Sequence, residues 1–138
     1  LILGITFSGG IPIAFAATLN SITIECLILM LANFFWILSY DTSYAISDRK
    51  DDKILGIGSA AIFFEGFEKS SILIFGYIGL LNTDSNSFFL LFFVTIIFFF
   101  FIFFKTDFTS PNSSFNFFRK NNNLGLFMFL SFFVDALI

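Results

Sequence analysis

Tyr40-Asp41-Thr42-Ser43-Tyr44-Ala45-Ile46-Ser47-Asp48-Arg49-Lys50-Asp51-Asp52-Lys53 gathers four carboxylates and three cations into fourteen residues. Across all 138 residues only 12% are Asp, Glu, Lys or Arg, while 57% are hydrophobic. A mean hydropathy of +0.93 and the lack of histidine describe a chain made for lipid, with this one stretch made for water. Long apolar runs satisfy their backbone hydrogen bonds in a bilayer as helices or closed barrels. The expected fold class is all-α, an integral membrane helical bundle.

Working outward, residues 22–40 lead into the charged stretch as an apolar run of roughly 20 residues, enough at about 1.5 Å per residue to cross a hydrocarbon core of about 30 Å. Upstream, residues 1–17 are apolar but interrupted by Gly9, Gly10 and Pro12, which predicts a kinked or discontinuous helix. Residues 18–21 form an uncharged loop. Leu1 opens directly into an apolar run with no basic flank, so the chain is expected to start within a larger domain. Downstream, residues 54–64 are too short to cross and read as a short helix or re-entrant piece. Residues 65–69 read as a polar hinge, 70–81 as a crossing, 82–87 as a turn, 88–104 as a crossing, 105–123 as a polar loop and 124–138 as a last crossing. That makes five crossings.

Drawn this way, all seven cations (Arg49, Lys50, Lys53, Lys69, Lys105, Arg119, Lys120) fall on one side, which the positive-inside rule makes cytoplasmic. The membrane expected is a bacterial inner membrane, with the lipid bilayer as a partner and the charged stretch facing the cytoplasm. A net charge of −3 is too small to argue for or against any charged partner, and no basic patch interleaved with aromatics points to nucleic acid, which is set aside. The lone Cys26 reads as a packing residue. The 26 phenylalanines read as lipid-facing filler, and Trp36 with Tyr40 as an interfacial belt. Glu65, Glu68 and Lys69 read as a charged surface hinge, and Asp135 as an acid near the outer interface.

If the helix ending at Tyr40 continues past the membrane, Asp41, Tyr44, Asp48 and Asp52 fall at i, i+3, i+7 and i+11 on one face. Carboxylates so spaced repel by a few tenths of a kcal/mol per pair, a cost easily tolerated with a divalent cation between them. Oxygen ligands without imidazole suit Mg²⁺, which binds through one or two carboxylates plus substrate phosphate oxygens. Arg49, Lys50 and Lys53 offer further positive charge to a phosphate. The plain alternative is a solvated loop of weakly paired mixed charges. Asn33, one helix face below, suits either substrate hydrogen bonding or helix-to-helix contact.

The wider pattern Leu31-Ala32-Asn33, Trp36, Tyr40-Asp41-Thr42, Tyr44-Ala45, Asp48-Arg49, Asp51-Asp52, Gly56-Ile57 and Ser59 resembles the second aspartate-rich region of the UbiA family of intramembrane prenyltransferases. The likeness extends upstream through Gly4 and residues 10–17, and downstream through Phe64, Glu68-Lys69 and residues 121–126. It is greatest to members that act on 4-hydroxybenzoate in ubiquinone synthesis. The resemblance implies the C-terminal part, 1–138, of a single nine-helix prenyltransferase domain, with these five crossings as its last five helices. It implies a polyprenyl diphosphate donor and 4-hydroxybenzoate as acceptor. By the same resemblance Asp48 and Asp52 are the catalytic, Mg²⁺-holding pair, Asp41 a further metal ligand, and Tyr44, Arg49, Lys53 and Asn33 substrate contacts; Asp51 faces water.

Two departures stand out. The family's first aspartate-rich region, N-D-x-x-D-x-x-x-D, does not occur in these residues, so the fragment is expected to be inactive by itself. At Gly58 the family pattern G-I-K-S has lysine, a diphosphate contact, so either Lys53 substitutes for it or donor binding is weakened. Alternatives left open are a related aromatic or quinone prenyltransferase, a silent membrane bundle, and a transport component with a cation-binding acidic loop.

Overall fold

The computed structural model describes residues 2–81, 89–135 and 137. All its regular elements are helices: α1 (Ile2–Ser8), α2 (Gly10–Leu19), α3 (Ile24–Leu55), α4 (Ala60–Phe63), α5 (Glu68–Leu81), α6 (Phe89–Lys105) and α7 (Pro111–Asp135). The predicted turn at 82–87 and the Asp135 side chain lie outside the described residues.

α3 is the axis of the bundle and packs against α1, α2, α4, α5 and α7. Its start is set by Thr23, whose backbone is extended and whose Oγ1 accepts from the Cys26 amide at 3.4 Å. Its end is set by Gly56 at φ 67°, a left-handed cap that glycine adopts without steric cost. At about 1.5 Å per residue its 32 residues run about 48 Å, well beyond a hydrocarbon core of about 30 Å. The polar second half of α3 therefore stands clear of the apolar slab.

The first apolar run is broken as its composition predicts. α1 ends at Ser8 and α2 resumes at Gly10, because Pro12 has no N–H to give to the Ser8 carbonyl. Gly4 in α1 lies so close to Phe34 that a Cβ there would sit 2.8 Å from the ring. Asn33 Nδ2 completes the α1–α3 contact by donating to Ser8 Oγ at 3.2 Å. Ile2–Leu19 and Ile24–Leu55 are each long and apolar enough to cross a membrane, and Phe93–Lys105 is a shorter apolar helix.

Several contacts between the helices are small and polar. Ser39 Oγ donates to the Ile72 carbonyl at 2.9 Å, tying α3 to α5, and Ser43 Oγ donates to the Ser114 carbonyl at 2.7 Å, tying α3 to α7. Ser8, Thr42, Thr95 and Ser131 are also buried, whereas Ile13, Ile74, Ile97, Phe101 and Phe104 face outward. That inversion is what lipid solvation asks for: helices with no hydrophobic drive between them close on small residues and interhelical hydrogen bonds.

Three expectations change. Residues 105–123 are not a loop: only 106–110 lack helix, and α7 begins at Pro111, whose missing N–H costs nothing at a first helical position. Ser114, Phe117, Asn121, Leu124, Met128 and Ser131 recur at three and four residues and are all buried, one stripe facing α3 and α6. The phenylalanines divide: Phe99, Phe103 and Phe117 are fully buried and, with Phe108, form an aromatic core with ring centroids 5.2 to 6.4 Å apart. Trp36 turns inward rather than joining a belt, its Nε1 donating to Asn121 Oδ1 at 3.3 Å.

Gly76 on α5 is where α3, α5 and α6 close most tightly, since a Cβ there would overlap the Phe99 ring and touch Ser39 Oγ at 3.0 Å. Gly76→Ala should therefore destabilise the bundle by about 1–3 kcal/mol through overpacking, while Ile13→Ala on the outer face should stay within about 0.5 kcal/mol. Unfolding of both variants in detergent checks this.

Candidate active site

Because α3 continues without a break, Asp41, Asp48 and Asp52 line one cavity of about 750 Å³. Its opposite wall is the chain doubling back after α3. Gly56 turns it, with the Ile57 amide bonding to the Asp52 carbonyl at 2.9 Å, and Ile57, Ser59, Ile62, Phe63 and Phe64 line the cavity together with Phe75 of α5, whose ring packs on Phe64. The cavity is thus acidic along α3 and apolar across from it.

A second cavity of about 700 Å³ lies on the adjoining face of α3 and is lined by Asn33, Trp36, Tyr40, Phe118, Asn121 and Asn122. Leu3, Asp41 and Tyr44 border both cavities. Asn121 is locked by accepting from Trp36 and by donating its Nδ2 to the Phe117 carbonyl at 2.9 Å. Tyr40 and Tyr44 pack on the Phe118 ring with centroids 5.8 and 5.1 Å away.

The cations of the motif go elsewhere. Helical phase puts Arg49 and Lys53 roughly a quarter turn from Asp48 and Asp52. Arg49 pairs with Glu68 and Lys53 Nζ with Glu65 Oε1 at 2.6 Å, both across the turn that leads into α5. Among the described residues neither cation lines either cavity. The hydrogen bond and charge of Lys53 hold the Glu65 carboxyl below its usual range. On the acid face, the hydrogen bond and charge of Asp48 push the Tyr44 phenol up, so it keeps its proton.

The geometry groups Asp48 with Asp52, half-buried and one turn apart on the cavity face, and sets Asp41 about 10 Å along the helix axis from Asp48. Ser47 Oγ donates to the Tyr44 carbonyl at 2.6 Å and lies 3.2 Å from Asp48 Oδ1. Among the described residues no three acidic, histidine or cysteine side chains converge as a metal cage. Two carboxylates without a cage fit Mg²⁺, which keeps most of its water and takes remaining ligands from phosphate. Sequence reasoning passed over Ser59, Phe64, Phe75, Phe118 and Asn122 as site walls. Ser59, Phe64 and Asn122 stood among the residues of the resemblance, without a role.

Comparison with known proteins agrees with these features. The profile of the UbiA prenyltransferase family matches residues 1–133. A 4-hydroxybenzoate octaprenyltransferase of Serratia proteamaculans is 33% identical over 137 residues, covering 94% of this chain and 47% of that protein. One of Histophilus somni is 35% identical over 137 residues, covering 94% and 48%. One of Methylobacillus flagellatus is 56% identical over 62 residues, covering 45% and 21%. The chain spans about half the length of the first two. No solved structure matches the chain significantly.

The exposed Lys53–Glu65 pair ties the returning wall to α3. Because the folded Glu65 carboxyl lies below its ordinary value, the tie is complete above that value and is lost as pH falls through the lowered one. Amide hydrogen exchange across residues 57–67, corrected for its intrinsic pH dependence, should quicken on such acidification. Lys53→Gln should quicken it already at neutral pH.

Proposed function

We propose that this chain, which belongs to the UbiA prenyltransferase family, forms the C-terminal part of a single prenyltransferase domain, a part that is inactive alone. In that reading the whole enzyme moves a polyprenyl group from polyprenyl diphosphate to 4-hydroxybenzoate. The observation that carries it is the pair Asp48 and Asp52, aligned on one cavity face opposite an apolar wall. The acceptor rests on the names of the relatives.

The two carboxylates would hold Mg²⁺, which when bound supplies positive charge to the departing diphosphate. The allylic C–O bond breaks and the diphosphate leaves with the electron pair. The ring carbon beside the phenol hydroxyl then forms the new C–C bond, and its proton departs to restore aromaticity. Ile57, Ile62, Phe63, Phe64 and Phe75 give the prenyl chain a dry wall, which keeps water from the electron-poor carbon. Asp41 and Tyr44, common to both cavities, stand where donor and acceptor would meet, with Asn33 on the acceptor side. Arg49 and Lys53 serve the site indirectly, by fastening the returning wall. In this reading the acid cavity faces the cytoplasm from a bacterial inner membrane, which the grouping of the seven cations supports.

A chimera carrying this chain behind the first half of the Serratia proteamaculans relative, made in cells lacking their own transferase, tests the reading. It should prenylate 4-hydroxybenzoate in a Mg²⁺-dependent way, and Asp48→Asn or Asp52→Asn should each cut the rate at least about a hundredfold, as for loss of a group that stabilises transition-state charge. Membrane-integrated chimera with no transfer to 4-hydroxybenzoate would overturn the acceptor. Unchanged rates in both variants would overturn the metal assignment.

A further inference from the structure

The buried stripe of α7, from Ser114 to Ser131, is packed against α3 and α6. On the opposite side Asn112, Asn116, Arg119 and Asn123 recur at four, three and four residues and are all exposed, with exposed Lys120 next to Arg119. At about 100° per residue those four share one narrow outward stripe. Among the described residues Arg119 and Lys120 pair with no carboxylate. Surrounded by water, such a stripe would be an ordinary solvated face.

The same outward face does not stay polar. Leu126, Leu130 and Phe133 continue it, and all three are exposed. Height in the bilayer follows from the pairing with α3. Trp36 bonds to Asn121, Tyr40 packs on Phe118 and Ser43 bonds to the Ser114 carbonyl, so α7 runs antiparallel to α3. Arg119 is therefore level with Tyr40, where the apolar run of α3 gives way to its charged stretch. That level is the membrane–water boundary, at which Arg and Lys hold their charge in the headgroup layer while their stems lie on apolar surface. Asn123 follows about 6 Å deeper along the helix, and the apolar residues follow it. The order along the face is cation, amide, hydrocarbon. A phospholipid has phosphate, ester carbonyl and acyl chain in that order.

We propose that the outward face of α7 is a binding site for an acidic phospholipid, its phosphate against Arg119 and Lys120, its ester carbonyl accepting from Asn123 Nδ2, and an acyl chain along Leu126, Leu130 and Phe133. Two cations with no carboxylate beside them favour a headgroup that keeps its net negative charge over a zwitterionic one, whose ammonium they repel. The site lies on the side of α7 turned away from α3 and the acid cavity. It does not rest on the prenyltransferase reading.

Native mass spectrometry on the protein expressed from its full reading frame, released from nanodiscs of equal phosphatidylglycerol and phosphatidylcholine, tests this by counting each lipid that stays bound. The parent should keep phosphatidylglycerol in preference. Arg119→Gln and Lys120→Gln should each lower that preference about fivefold, the effect of one cation near an anionic surface. Arg119→Lys, which keeps the charge, should hold it close to the parent's. Lys105→Gln removes a cation whose ammonium already stands 4.4 Å from the Phe101 ring centroid, and should leave the preference unchanged. Equal retention of the two lipids by the parent, as a protein helix covering this face would give, overturns the proposal. So does a preference that survives the two glutamine changes together, or one that falls as far in Lys105→Gln, the mark of diffuse attraction to the whole charged side.

Discussion

Everything in this bundle depends on one helix being longer than the membrane. α3 runs unbroken from Ile24 to Leu55, apolar in its first half and charged in its last; α1, α2, α5 and α7 and the short α4 pack on it, and α6 packs on α7. A helix satisfies its own backbone wherever it lies, so it can leave the hydrocarbon without a change of structure. The rigid part that the bilayer positions therefore carries Asp48 and Asp52 out to the surface in fixed register. A loop at the same place would hold the same residues with no defined spacing between them.

The bundle solves its packing with small polar groups for the same reason that α3 can be so long. Ser39 and Ser43 each spend a hydroxyl on a carbonyl of a neighbouring helix, and Gly4 and Gly76 let Phe34 and Phe99 approach the backbone. The Ser39 and Ser43 contacts precede Asp48 and Asp52 on α3 and anchor it to α5 and α7. The direction of the acid face is thus decided by residues with no chemistry of their own.

Much of this was legible in the chain. The i, i+3, i+7, i+11 spacing of Asp41, Tyr44, Asp48 and Asp52 makes one face if the helix continues past residue 40, as α3 does, and Gly9, Gly10 and Pro12 already marked the break between α1 and α2. The beginning of α7 was not legible from hydropathy, because Asn112, Ser113, Ser114, Asn121 and their neighbours average to a loop. Their order still carries a helical stripe, visible only when position rather than mean polarity is read. The wall formed by residues 57–64 was hidden for a different reason. Its place depends on the left-handed turn at Gly56 and on two ion pairs to Glu65 and Glu68, and neither pairing follows from local pattern.

The cations show most clearly how sequence adjacency misleads. Arg49 and Lys53 are interleaved with Asp48 and Asp52 along the chain, which suggests mutual service at one site. In the fold the two signs part because Arg49 reaches Glu68 and Lys53 reaches Glu65 across the turn into α5. One face is left with carboxylates facing a partly apolar cavity, the other with cations fastening the wall that closes it. Were the cations turned onto the aspartates, the carboxylates would be neutralised internally and the wall released. Keeping the pairs apart leaves Asp48 and Asp52 with no ion pair to a described cation.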